Sequence, residues 1–111
     1  AERGSAPTLV FDEIDTGLGG AVAEAIGVRL ARLAEKVQVL AVTHAPQVAA
    51  RADHHLRITK APRDGGERVA TAVEIVSGEH RREEIARMLA GATISDEARA
   101  AADKLIGGGR R

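Results

Sequence analysis

The chain has 111 residues, and its sixteen basic and sixteen acidic side chains cancel, so it lacks the basic excess that would by itself mark a nucleic-acid-binding surface. It contains no cysteine, which excludes disulfides and thiolate metal sites and fits a reducing cytosol. With one Phe, no Trp and no Tyr, a single domain or part of one must build its core from Val, Ile, Leu and Ala, and no apolar run approaches the roughly 20 residues that span a bilayer.

In chain order, AERGSAPT has no apolar signal segment and reads as the end of a preceding helix and a loop, as if cut from something longer. Leu9 to Phe11 is a short apolar run that predicts a buried parallel strand. Gly17, Gly19 and Gly20 give a flexible turn, and a helix is expected from Ala21 with the stripe Val22, Ile26, Leu30 and Leu33. Val37 to Val42 predicts a second strand, apolar enough to be buried on both faces. Strand, helix and strand in this compass make a parallel βαβ unit with a right-handed crossover. Pro46 can open a short helix over 47–51. Leu56 and Ile58, then Val69, Val73 and Ile75, alternate with other residues around Pro62, Asp64, Gly65 and Gly66, the pattern of a β-hairpin with a loop longer than two residues. A helix from Glu79 to Ala90 stops at Gly91, a good left-handed terminator. A last helix is capped by Ser95, with Asp96 and Glu97 in its first turn and the stripe Ala98, Ala101, Ala102, Leu105 and Ile106. The tail GGGRR should fray.

The chemistry lies at the strand ends. Asp12 and Glu13 close the first strand, Asp15-Thr16-Gly17 follows, and Thr43-His44 comes directly after the second strand. Open α/β sheets bind ligands at the carboxyl ends of their strands, and parallel neighbours end on the same side. Asp12, Glu13 and His44 are therefore expected in one crevice. One carboxylate there can hold Mg²⁺ through its water shell, while its neighbour orients or deprotonates an attacking water. A histidine can donate to a phosphate oxygen or to that water.

These residues carry a resemblance. LVFDEIDTG resembles the Walker B strand, catalytic glutamate and D-loop of the ABC-type ATPases, and VLAVTHAPQVAARAD resembles their switch-histidine segment. With EEIARMLAG, the chain is similar over about residues 8–106 to the SMC-like DNA repair ATPases of bacteria. The resemblance implies an α/β fold, the C-terminal part of an ABC/SMC-type P-loop ATPase head. Residues 1–60 would form its Walker B, D-loop and switch-histidine part, and 61–111 the hairpin and C-terminal helices. It implies that Asp12 holds Mg²⁺ through water, Glu13 polarises the attacking water, Asp15 lies at the interface between two heads and His44 contacts the γ-phosphate of ATP. The implied partners are the N-terminal P-loop lobe of the same head, a second head in a homodimer, and DNA through the full protein in double-strand break repair. The implied location is the bacterial cytoplasm, at the nucleoid and not in a membrane.

The chain also departs from that pattern. It has no G-x-x-x-x-G-K-[ST] run and no Ser-Gly-Gly signature loop, so it should not hydrolyse ATP alone. Two other readings stay open: a self-contained Mg²⁺-dependent phosphohydrolase using Asp12, Glu13, Asp15 and His44, and a non-catalytic dimerisation or docking lobe. His54 and His55 point to opposite faces of a strand and make a poor chelate, so they read as surface. Arg81-Arg82 and Glu83-Glu84 read as a solvated helix face. Arg57, Lys60, Arg63 and Arg68 cluster on the hairpin, where interspersed acids argue against contact with a phosphate backbone.

Overall fold

A computed structural model describes residues 7–14, 17–63, 66, 68–91 and 93–109. The elements run β1 (Thr8–Asp12), α1 (Gly20–Leu33), β2 (Gln38–Val42), α2 (Pro46–Ala49), β3 (His55–Arg63), β4 (Arg68–Val76), α3 (Gly78–Ala90) and α4 (Asp96–Gly109). β1 and β2 pair in parallel from Thr8↔Gln38 to Asp12↔Val42, which closes the expected βαβ unit around α1. β3 and β4 form the antiparallel hairpin, from His55↔Val76 to Arg63↔Arg68. β3 runs across residue 60, so the hairpin is one piece on both sides of that position.

The core is small-residue packing between helices. Ala49, Ala50, Ile85, Ala86, Ala98 and Ala102 are buried together, with Met88, Ile94, Leu105 and Ile106 packed around them. α1 approaches α2 through Ala23 and Gly27 rather than through the bulkier expected stripe, of which Val22 is exposed. The physical reason is distance: a Cβ on Gly27 would lie 2.9 Å from the carbonyl oxygen of Gln47. Only a residue without a side chain permits that approach.

Ser95 caps α4, its Oγ accepting the Ala98 N–H at 3.1 Å. The helix continues through Gly109, so the first three glycines of the tail are helical, and Arg110 and Arg111 lie outside the described residues. Gly91 ends α3 with φ 85° and ψ −126°, a positive φ but not the left-handed helical well expected.

The strands are not buried on both faces. Register places Val10, Leu40, Val42 and Asp12 on one face of the β1–β2 pair, and Val10 is 64% exposed. On the hairpin, Leu56/Ile75 and Ile58/Val73 are cross-strand pairs on one face, with Ile75 78% exposed. Each sheet among the described residues has two strands, and a two-stranded sheet has too few neighbours to cover both sides. The Cα radius of gyration of 15.6 Å exceeds the roughly 13 Å of a compact domain this size, in keeping with these open faces.

Candidate functional site at the ends of the parallel strands

Asp12 is the last residue of β1 and is exposed, paired across the ladder with Val42. Glu13 follows in a turn. Its N–H donates to the Val42 carbonyl at 2.7 Å, and its φ is 55°. Left-handed backbone is uncommon outside glycine and costs on the order of 1–3 kcal/mol, so the fold holds Glu13 against a local preference. In a continued strand Glu13 would face away from Asp12. The turn breaks that alternation, and the Glu13 carboxylate lies 3.4 Å from Nε2 of His44.

His44 is delivered from the other strand. β2 ends at Val42, and the Thr43 Oγ accepts the Ala45 N–H at 2.9 Å, which fixes the turn carrying the imidazole. Pro46 then opens α2 at its first turn, where its missing N–H costs nothing. The His44 side chain is 87% exposed and that of Glu13 43% exposed, so both can meet a ligand. A cleft of about 310 Å³ beside them is lined by Gly17, Leu18, Gly20, Ala23, His44, Ala45, Pro46 and Gln47.

The structure thus brings Glu13 and His44 together, with Asp12 adjacent in sequence at the same sheet end. Asp15 and Thr16 lie outside the described residues. A carboxylate and an imidazole 3.4 Å apart in an open crevice can together orient one small oxygen ligand, the first accepting its proton and the second donating to it.

A second polar cluster was not legible from the sequence. Glu84 is 5% exposed, bonded to Arg87 and 3.5 Å from Arg57, rather than on a solvated face. Burial pushes its carboxyl up, but the hydrogen bond and charge of Arg87, with Arg57 behind, outweigh burial and hold it below the ordinary carboxylate range. Glu83 binds Arg99 of α4 at 2.7 Å. Arg81 is also turned inward and donates to the carbonyls of Ala49, Ala50 and Ala52. The reason is that α3 packs on α2 and α4 at once, so residues on adjoining sides of the helix are covered. The i, i+3 spacing of Glu84 and Arg87 was the only available signal. Of the histidine pair, His54 is surface as expected. His55 is half-buried, and burial followed by the charge of Arg81 lowers its pKa, with Glu84 opposing. Among the described residues no group of His, Asp and Glu is arranged to hold a metal by itself.

The mixed α/β fold is shared with part of an SMC ATPase. A chain solved in work on ATP-driven dimerization and DNA-stimulated activation of SMC ATPases matches 79% of this chain and 51% of its own length, with TM-score 0.60 and 23% identity. In sequence, the chain is a homologue of the DNA repair protein RecN. It is 53% identical over 100 residues to RecN of Xylella fastidiosa (strain 9a5c), covering 90% of this chain. It is 49% identical to RecN of Deinococcus radiodurans over 92% of the chain, and 49% identical to RecN of Mycobacterium leprae over all of it. The chain spans 18% of the length of each of these relatives. No family model matches it. No helix among the described residues is long and apolar enough to cross a membrane.

Proposed function

We propose that this chain is the C-terminal lobe of an SMC-like ATPase head, its residues 1–60 supplying the Walker B strand, D-loop and switch histidine, in a RecN-type protein that acts in DNA double-strand break repair. One observation carries the reading: Glu13 and His44 meet at 3.4 Å where two parallel strands end together, next to Asp12. In this reading Glu13 orients and deprotonates the water that attacks ATP, and His44 donates to the γ-phosphate. Magnesium suits the donors present, since it keeps much of its water shell and needs only one or two carboxylates besides phosphate oxygens. Asp12, exposed at the strand end, would hold it, and the ion would offset the phosphate charge. Asp15 would lie against a second head. The N-terminal P-loop lobe of the same head would supply the phosphate cradle, and the protein would work in the bacterial cytoplasm.

The test is Glu13→Gln in the full-length protein. Hydrolysis should fall by about two to four orders of magnitude, the scale of general-base loss, while ATP binding persists and the ATP-bound head dimer accumulates. Near-wild-type turnover overturns the reading. Turnover by residues 1–111 alone would instead favour the self-contained phosphohydrolase, and dimerisation indifferent to nucleotide the docking lobe.

A further inference from the structure

We propose that Arg81 is a positioning residue for His44, acting by clamping the far end of the helix that His44 leads into. The inference rests on the reading of His44 given above. His44 cannot be located by packing of its own ring, since its side chain is 87% exposed. Its position is set by backbone: β2 before it and α2 after it.

α2 is a single turn, Pro46–Ala49, and one turn is not stable by itself. Its own hydrogen bonds are few: the carbonyls of Pro46, Val48 and Ala49 accept the N–H groups of Ala50, Arg51 and Ala52. Arg81, on α3, adds a clamp across the last residue of α2 and the turn that follows it. One terminal guanidinium nitrogen faces the carbonyl oxygens of Ala49 at 3.1 Å, Ala50 at 3.0 Å and Ala52 at 2.7 Å. A cation at a helix C-terminus also meets the negative end of the helix dipole. On the opposite side α1 supports the same turn, through the close approach of Gly27 to Gln47 and Val48 and the Arg51–Glu24 ion pair at 3.5 Å. The N-terminal end of α2 connects through Ala45 to the Thr43 hydroxyl, so the imidazole rides on a short, braced segment. Releasing the Arg81 end leaves that end of α2 held against α3 only by the apolar packing of Ala49 and Ala50, with no polar anchor to fix its angle, and lets the His44 end shift away from Glu13.

The test uses the full-length protein, with ATP affinity and single-turnover hydrolysis measured for wild type, His44→Ala, Arg81→Met and the double variant. Arg81→Met should slow turnover by about 10- to 100-fold, the scale of a misplacement near 1 Å, with ATP affinity kept. In the His44→Ala background the same change should cost nothing further, because the group it positions is gone. Arg81→Lys keeps the charge without the planar fork and should recover part of the rate. If Arg81→Met folds poorly, Arg81→Gln, which keeps an NH₂ donor, is read by the same criteria. A full multiplicative loss in the His44→Ala background, or full-rate turnover in Arg81→Met beside a slow His44→Ala, overturns the inference alone. Wild-type turnover in His44→Ala removes the role of His44 and the inference with it.

Discussion

The Cβ position of Gly27 lies 2.9 Å from the carbonyl oxygen of Gln47, closer than side-chain carbons come to backbone oxygens in folded proteins. Gly27→Ala should therefore destabilise the chain despite the better helix propensity of alanine. Overpacking of this kind costs about 1–3 kcal/mol, against a gain of up to about 1 kcal/mol from propensity. Gly107 in α4 meets nothing within 4 Å and gives the control: Gly107→Ala should stabilise by up to about 1 kcal/mol. Urea unfolding of both variants checks the pair of signs; equal shifts in one direction would contradict the close approach of α1 and α2.

Loss of the Ser95 hydroxyl should cost about 0.5–2 kcal/mol, because the Ala98 N–H then loses its acceptor at the start of α4. Ser95→Asp should retain most of the stability, and thermal melting of the two variants distinguishes the cap from a packing effect.

Glu13 should show a trade of stability against activity. Asparagine tolerates a φ near 55° better than glutamate does, so Glu13→Asn should match or exceed the wild-type stability, by up to about 1 kcal/mol. The same variant should lose hydrolysis in the full-length protein, its side chain being shorter and uncharged. A clear drop in melting temperature would show that the turn depends on the glutamate itself.

Stability should fall on mild acidification. His55 titrates below its ordinary 6.5 in the folded chain, through burial first and then the charge of Arg81, so at pH values beneath 6.5 the unfolded chain takes up the proton more readily. The contribution is complete above 6.5 and is lost as pH falls from there through the lower folded value. Glu84, held below 4.5, adds a further loss in more acidic solution. Denaturant midpoints at a series of pH values, compared between wild type and His55→Asn, should show the upper step vanish in the variant.

Residues 1–111 alone should self-associate. Val10, Leu56, Ile58, Val69, Val73 and Ile75 stand exposed on strand faces, and contiguous apolar faces of this kind drive association. Sedimentation at rising concentration checks this; a monomer throughout, with a sharp and high thermal transition, would contradict it.

The order of elements was legible because apolar runs and turn residues punctuate this chain clearly. That Glu13 and His44 share one sheet end was legible from topology, since parallel strands end on the same side, whereas their 3.4 Å contact also depends on the turn at Glu13. The burial pattern was less so. Apolar strands suggested two covered faces, but periodicity does not say whether a neighbour is present, and Val10 and Leu40 are exposed. The stripe chosen on α1 favoured bulky residues, whereas contact with α2 selects Ala23 and Gly27. Arg81 and Glu84 looked like solvent-facing charge because a sequence shows one helix at a time, and α3 is packed from more than one direction. The left-handed backbone at Glu13 carries no local signal, since a glutamate is not the residue such a turn selects.

The two strand pairs differ in how far the chain must reach to form them. Thr8 and Gln38 meet across a sequence separation of 30, whereas the hairpin closes between Arg63 and Arg68. Loop closure favours the short connection, so the hairpin can form within about 1–10 μs while β1 and β2 wait for α1 to lie between them. The acid and the histidine therefore come together only once that longer loop has closed. Amide hydrogens of residues 39–42 should exchange faster than those of residues 56–59, and in refolding the crevice should form after the hairpin.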